Sequence, residues 1–412
     1  MNTVALALSL LLAAPCAAAS SRRALVIGLD GLDWGVVLPL MERGRLPNLA
    51  RLAVEGSTGT MRVPLPLRSP AIWTSVATGV SPATHGINDF MVGERRVSSG
   101  ERRVEAIWES ASLSSRTVAV VGWLATWPAE AVRGVMVSDQ ALNTDVRDGH
   151  VFPSDALAEI RALAAWDFRS PEAAERLGRF LPFRWDPDYR AHWPKDSAQF
   201  RRHDLVERRL SWVFARDESH TRILEALLRR KPALAMIHIW GADHVSHAFW
   251  RAAFGNGGED ERRDFGGVIA AYYEYIDELV GRLVNAAGPD TLVVALSDHG
   301  FEAWTPPPQD PHPFLTGNHR PYAVLFLAGP GVRRGAPLDS PRVLDLTPTL
   351  ERYLDIAPPE GQEGRVLEEA FLPGFLAPPL PPRASARRPA PSAPVSLSPE
   401  EAARMRAMGY LR

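Results

Sequence analysis

The sequence predicts an open α/β fold, a mostly parallel sheet covered by helices, and three observations lead there. First, short apolar runs at 24–29, 233–240 and 291–296 each stop at or just before an aspartate: Asp30, Asp243 and Asp298. Runs this short and this apolar read as strands buried on both faces. Second, helical patterns lie between them, clearest over 268–284, where apolar residues recur at i, i+3, i+4 and i+7. Third, the alternation of the two patterns is the signature of helices packed on a parallel sheet. Ligands of such sheets gather beyond the carboxyl ends of the strands, where all three aspartates fall.

Composition narrows the function classes. The chain has 412 residues, enough for one large domain or two smaller ones, and 46 Lys+Arg against 48 Asp+Glu. That balance excludes nucleic-acid binding driven by bulk positive charge. With Cys16 as the one cysteine, disulfide scaffolds, thiolate zinc sites and cysteine nucleophiles are excluded too. Chemistry must come from Ser, His, Asp and Glu.

The ends of the chain read separately from the core. An apolar run over 4–14 followed by Ala17, Ala18, Ala19 and Ser20 predicts a signal peptide over 1–19 and a periplasmic or secreted protein. Pro15 fits a lipid anchor on Cys16 badly. No other run has membrane length, so no transmembrane segment is expected. A catalytic domain is expected over 20–376. The Pro-, Ala- and Arg-rich stretch 377–394 predicts an extended linker, and Ser398, Pro399 and Glu401 start a C-terminal helix within 395–412.

Any one strand-end aspartate is readily a turn or cap residue. Three of them with histidines nearby point further. His247 follows Asp243 by four residues, on one face if the segment is helical, and His299 follows Asp298 directly. His319 sits in Gly317-Asn318-His319, just before an apolar strand from Tyr322. Carboxylate and imidazole donors without thiolates suit Zn²⁺, Mn²⁺ and similar ions. His238, mid-strand, reads as a core or supporting residue, and His244, beside Asp243, points elsewhere on a helix. His85 also falls near these motifs. His150, His192, His203, His220 and His312 read as surface or loop residues.

Ser69-Pro70 predicts a helix start with Ser69 as the cap and Gly79 as the stop. A serine there lies at the positive end of a helix, which favours an alkoxide or a phosphate; an ordinary cap is the alternative. No Ser-His-Asp order or G-x-S-x-G elbow is present, so activation by a cation is the remaining route.

The motifs GLDGLDW, RSPAIWTSVATGVSPATHGI, GADHVSHAFW, SDHGFE and GNHRPY occur in an order that resembles the type I phosphodiesterase/nucleotide pyrophosphatase branch of the alkaline phosphatase superfamily, over roughly residues 25–367. The resemblance implies an alkaline-phosphatase-like fold, a central mixed, mostly parallel sheet with helices on both faces. It implies two divalent ions, zinc favoured and manganese the alternative. One would be held by Asp243, His247 and His319, the other by Asp30, Asp298 and His299, with Ser69 as the nucleophile. Asp33 competes with Asp30 but lies farther from the strand end. Where nucleotide pyrophosphatases carry an Asn three residues after the nucleophile, this chain has Ile72, so nucleotide specificity is not implied; Asn88 and Arg320 are the candidate substrate-binding substitutes. The sulfatase nucleophile needs Pro two residues on and Arg four on, where Ala71 and Trp73 stand. The expected function is an exported phosphohydrolase acting on a small-molecule or lipid phosphodiester or monoester through phosphoserine. The alternatives are a phosphonate hydrolase or head-group phosphotransferase on the same site, or an exported metal-binding protein without turnover. The tryptophan- and arginine-rich stretch 157–230 is expected to be either an inserted cap selecting the substrate or a solvated helical insertion.

Overall fold

Residues Arg23–Leu29 form β1, the centre of the architecture, buried along nearly all its length because both neighbours and both faces are covered. The computed structural model describes residues 22–385 apart from 94, 142–145, 166, 168 and 306–314. The expected signal peptide with Cys16, the C-terminal helix, residues 386–394 of the expected linker, Trp166 and His312 lie outside the described residues.

Apart from a short hairpin of Met91–Val92 and Arg95–Arg96, the remaining strands among the described residues are β2 (Ser57–Arg62), β3 (Val118–Val121), β4 (Gly134–Val137), β5 (Val151–Phe152), β6 (Leu234–Ile239), β7 (Thr291–Leu296), β8 (Gly300–Ala303), β9 (Gly317–Arg320) and β10 (Tyr322–Ala328). Eight make one sheet in the order β2-β10-β7-β1-β6-β3-β4-β5. The five central strands run parallel; β10 runs against them, β2 pairs antiparallel with β10 and so runs with the central five, and β5 on the other edge runs antiparallel. This is the mixed, mostly parallel sheet expected. Register places Gly28 beside both His238 and Leu296, so β1, β6 and β7 end at one level, and Asp30, Asp243 and Asp298 follow there. β8 and β9 form a separate antiparallel hairpin.

The helices that bear on the site are α1 (Trp34–Glu42), α2 (Ser69–Thr78), α3 (Trp212–Leu228), α4 (Gly241–Phe254), α5 (Val268–Ala287) and α6 (Leu346–Tyr353). In α2 every residue is buried, and Gly79 ends it in the left-handed conformation, φ 71°. Its Trp73 presses onto β1 where a Cβ on Gly28 would come within 2.8 Å of the indole, so glycine there lets α2 sit close on the sheet.

Two expectations change. First, α3 packs on β3, β6 and α5, so the end of 157–230 is a helix of the core and only the segment before it remains available as a cap. A periodicity reading misses this because α3 carries Arg216, Asp217, Ser219, His220 and Thr221 inside, all buried. His220 Nε2 donates to the Ala141 carbonyl at 3.0 Å, since a carbonyl only accepts. Second, His150, His203 and His220 are buried; only His192 of the described set is exposed. Among the described residues no helix is long and apolar enough to cross a membrane.

The described part of the expected linker is docked. Arg383 Nη2 donates to Glu105 Oε2 at 2.5 Å and to Ser110 Oγ at 3.1 Å, while its backbone pairs with Pro358 and Glu360. A buried carboxylate holds this cation, which a composition-based reading of Pro and Ala cannot register. Nearby, burial pushes the Glu351 carboxyl up to about 8, and Gln362 Nε2 donates to it at 2.6 Å. The native chain keeps that proton where the unfolded chain loses it near pH 4.5. Wild-type stability should therefore fall relative to Glu351→Gln as pH rises from 5 to 8, by at most about 1.4 kcal/mol per pH unit. Parallel urea midpoints of the two proteins across that range would refute the assignment.

Candidate metal centre

Each acidic strand end presents one oxygen to a common pocket. Asp30 directly follows β1; its Oδ2 accepts from Trp73 Nε1 at 3.1 Å and from His238 Nε2 at 2.9 Å, which turns Oδ1 inward. Asp298 Oδ1 accepts from the backbone N–H of Gly31 (3.2 Å) and His299 (3.1 Å), which turns Oδ2 inward. Asp243 lies in the first turn of α4, with His247 one turn on along the same face. His299 follows β7, and β9 carries His319.

These side chains form two clusters. In the first, His247 Nε2, His319 Nε2 and Asp243 Oδ1 lie 2.9, 3.1 and 3.3 Å apart. Ligands held at about 2.0–2.1 Å by a tetrahedral ion are separated by roughly 3.3 Å. In the second, His299 Nε2 lies 3.4 Å from Asp30 Oδ1 and 3.3 Å from Asp298 Oδ2, with Ser69 Oγ also at 3.4 Å. His299 lies 3.8 Å from Asp243 Oδ1 as well, so it is near enough for either cluster. Its Nδ1 faces the Gly300 carbonyl at 3.2 Å, leaving one nitrogen for one ion, and the shorter distances place it with Asp30 and Asp298.

Three features of this donor set fit divalent cations. The buried oxygens Asp30 Oδ1 and Asp298 Oδ2 have no hydrogen-bond partner. All three histidines donate outward from Nδ1, to the carbonyls of Gly317 (2.9 Å), Gly300 (3.2 Å) and Leu67 (3.3 Å), so their Nε2 lone pairs face inward. And facing acceptors this close repel one another unless a cation lies between them. The electrostatics agree. Burial pushes the Asp30 carboxyl well up, and the charges of Asp298 and Asp243 add to it. Burial and then Asp243 raise Asp298 to about 7. Burial acts the same way on Asp243, but His247 and His319 outweigh it and hold that carboxyl well below its ordinary value. Burial lowers His299 far below the usual imidazole range.

Ser69 does not cap α2. Arg68 occupies the cap position, Ser69 is the first helical residue, and its side chain makes no capping bond. The one-residue shift leaves Oγ free to face the second cluster. Ile72 is fully buried in the core. Asn88 is exposed, donating to the Gly86 carbonyl at 3.3 Å, and the loop holding it is tied to the neighbour of Ser69 by an Arg68–Asp89 pair at 3.7 Å. Arg320 points away from His319, because successive residues of a strand face opposite sides, and it is bound by Asp33. His85 bonds Ser75 Oγ at 3.0 Å, outside both clusters, and His244 packs its ring 4.8 Å from Trp212. Sequence reasoning missed Trp73 as a partner of Asp30; no spacing rule signals an indole that meets a carboxylate across two elements. Phe301, whose ring lies 4.9 Å from that of His247 and 5.3 Å from that of His319, was equally illegible.

Comparison with known proteins bears on the family and the fold. The family model described as type I phosphodiesterase / nucleotide pyrophosphatase matches residues 24–311, a span that holds every clustered residue except His319. No curated protein is significantly similar in sequence. Among solved structures, wild-type alkaline phosphatase PafA aligns at TM-score 0.53 and 10% identity, covering 85% of this chain and 99% of that one. A putative sulfatase from Bacteroides thetaiotaomicron VPI-5482 aligns at 0.54 and 14%, covering 87% and 77%. A 2-O GAG sulfatase aligns at 0.53 and 14%, covering 85% and 74%. At these identities the likeness is one of fold.

Removing one of the crowded carboxylates separates folding from ion uptake. Metal-free Asp298→Asn should be more stable than metal-free wild type by on the order of 1 kcal/mol, while its zinc uptake falls. Urea unfolding of chelator-treated protein and elemental analysis after reloading read the two quantities. Lower stability with undiminished zinc would show that Asp298 is neither crowded nor a ligand.

Proposed function

Since the chain belongs to the type I phosphodiesterase / nucleotide pyrophosphatase family, we propose that it hydrolyses phosphoric esters, phosphodiesters first, with Ser69 as nucleophile beside two divalent cations, zinc before manganese. The observation that carries this reading is the second cluster: Ser69 Oγ, freed from capping, lies 3.4 Å from His299 Nε2 beside two buried oxygens without partners. Asp243, His247 and His319 would hold one cation, and Asp30, Asp298 and His299 the other. Bound there, the cations would lower the pKa of the Ser69 hydroxyl and offset charge on the phosphoryl and leaving oxygens.

The chain's own residues supply the rest. Ser69 sits in the first turn of α2, whose positive end favours the phosphoryl oxygens. Its Oγ attacks phosphorus, the bond from phosphorus to the leaving alkoxide breaks, the serine's proton ends on the departing alcohol, and a serine-bound phosphoryl group results, still carrying the second ester group when the substrate is a diester. Water then attacks that phosphorus and returns the serine. Trp73 and His238 hold Asp30 so that one carboxylate oxygen faces the pocket throughout. Ile72 supplies no donor, so a substrate phosphoryl group depends on the cations and the helix start, and nucleotide selectivity is not part of the reading. The sulfatase alternative is disfavoured by Trp73 and Ala71, where that chemistry needs Arg and Pro. An apolar leader with a small-residue site at 17–20 supports an exported enzyme.

Purified protein supplied with zinc or manganese is to be assayed on p-nitrophenyl diester, monoester and phosphonate substrates. Diester turnover is expected to lead. Ser69→Ala should lower it by about 10³-fold or more with metal content unchanged. Wild-type levels of turnover in that variant would remove Ser69 from the mechanism, and no turnover of any substrate by metal-loaded wild type would leave an ion-binding protein.

A further inference from the structure

Asp33 lies three residues beyond Asp30, and Arg320 directly follows His319. Their side chains meet at two points: Arg320 Nε donates to Asp33 Oδ2 and Nη2 donates to Oδ1, both at 2.6 Å. Asp33 is 2% exposed, and each of its oxygens takes a second bond from backbone, Oδ1 from Gly35 N–H at 2.6 Å and Oδ2 from Phe301 N–H at 2.9 Å. Its own N–H donates to Tyr273 Oη at 3.1 Å, and that hydroxyl donates to the Gly31 carbonyl at 3.3 Å. The space is kept open by a glycine: a Cβ on Gly300 would stand 2.2 Å from Asp33 Oδ2 and 3.0 Å from Arg320 Nε.

One carboxylate thus joins the loop after β1, the start of β8 and the end of β9. Those three places carry Asp30, His299 and His319. Among the described residues the β8–β9 hairpin has no ladder pairing with the eight-stranded sheet; its short connections to β7 and β10 and the Thr316 N–H to His247 carbonyl bond at 2.8 Å tether it, and the Asp33–Arg320 contact adds a tie to the loop after β1. His319 faces the cluster with Phe301, its cross-strand partner, and Arg320 faces the other side.

We infer that Asp33 and Arg320 are positioning residues, a two-point clamp that sets the hairpin's ligands, His299 and His319, at cation-binding distance from those carried by β1 and α4. The inference rests on the cation sites of the proposed function and adds what fixes their spacing. Because the clamp reaches a ligand of each cluster, both sites depend on it.

The test is zinc titration of chelator-treated, full-length protein by calorimetry, with circular dichroism of the metal-free state and kcat and KM on a p-nitrophenyl diester. Arg320→Gln should weaken zinc binding at both sites by about 10–100-fold, the range for residues that hold metal ligands. Arg320→Lys keeps the charge but not the two-point grip and should recover only part of the loss. The Asp33→Asn/Arg320→Gln pair leaves no buried charge without its partner and should keep the fold while binding zinc as weakly as the single variant. In all three, kcat should fall at limiting zinc and recover as zinc is raised, with KM little changed. Unaltered zinc affinity in a folded variant overturns the clamp. A raised KM with unaltered zinc affinity overturns it in favour of direct substrate contact by Arg320. Wild type that takes up no zinc would instead overturn the cation sites themselves, and the clamp with them.

Discussion

Three carboxylates forced together in a buried pocket are the constraint around which the rest of the molecule is arranged. Asp30, Asp243 and Asp298 are each 0% exposed, and each follows a strand of one parallel trio whose members end at one level. Burial alone disfavours the charged form of such groups, and mutual repulsion adds to the cost. The protein meets that cost locally, with imidazoles facing Asp243 and backbone N–H groups on Asp298, and leaves two buried oxygens without a partner.

The surroundings of the pocket serve direction more than strength. Five of the six candidate ligands have a second contact that decides which atom faces inward: indole and imidazole on Asp30, peptide N–H on Asp298, carbonyls on the three histidines. A carboxylate or imidazole left to rotate would populate several orientations, and a metal site needs one. The same logic applies to Ser69, whose availability depends on Arg68 taking the cap position of α2. Gly28 lets α2 approach, and the Trp73 that fills the space next to it is the residue that orients Asp30. Packing and chemistry are therefore coupled through single side chains.

The stretch before α3 is organised by ion pairs more than by a recognition surface. Arg176 pairs with Glu218 at 2.9 Å, Arg169 with Glu207 at 2.8 Å, and Arg190 also with Glu207. Arginines committed to carboxylates have fewer donors left for an anionic substrate. The π-helical turn Glu207–Ser211 packs against α4, which carries Asp243 and His247, and leads directly into α3. That turn joins the helical segment to the core.

What the sequence determined by itself follows from short-range rules. Short continuous apolar runs mark β1, β6 and β7 and a 3.6-residue period marks α5; strand-end aspartates follow from parallel topology; and a four-residue spacing puts Asp243 and His247 on one face once α4 is helical. Motif order carried the family and the identity of the seven clustered residues. The tertiary structure alone decided which oxygen of each carboxylate faces inward, that Arg320 turns to Asp33 and away from His319, that α3 is a core helix, and that Arg383 docks on Glu105. These are contacts between residues tens to hundreds of positions apart, fixed by rotamer and register. Local propensity has no bearing on which distant groups meet, because the energy that selects them exists only once the chain has folded.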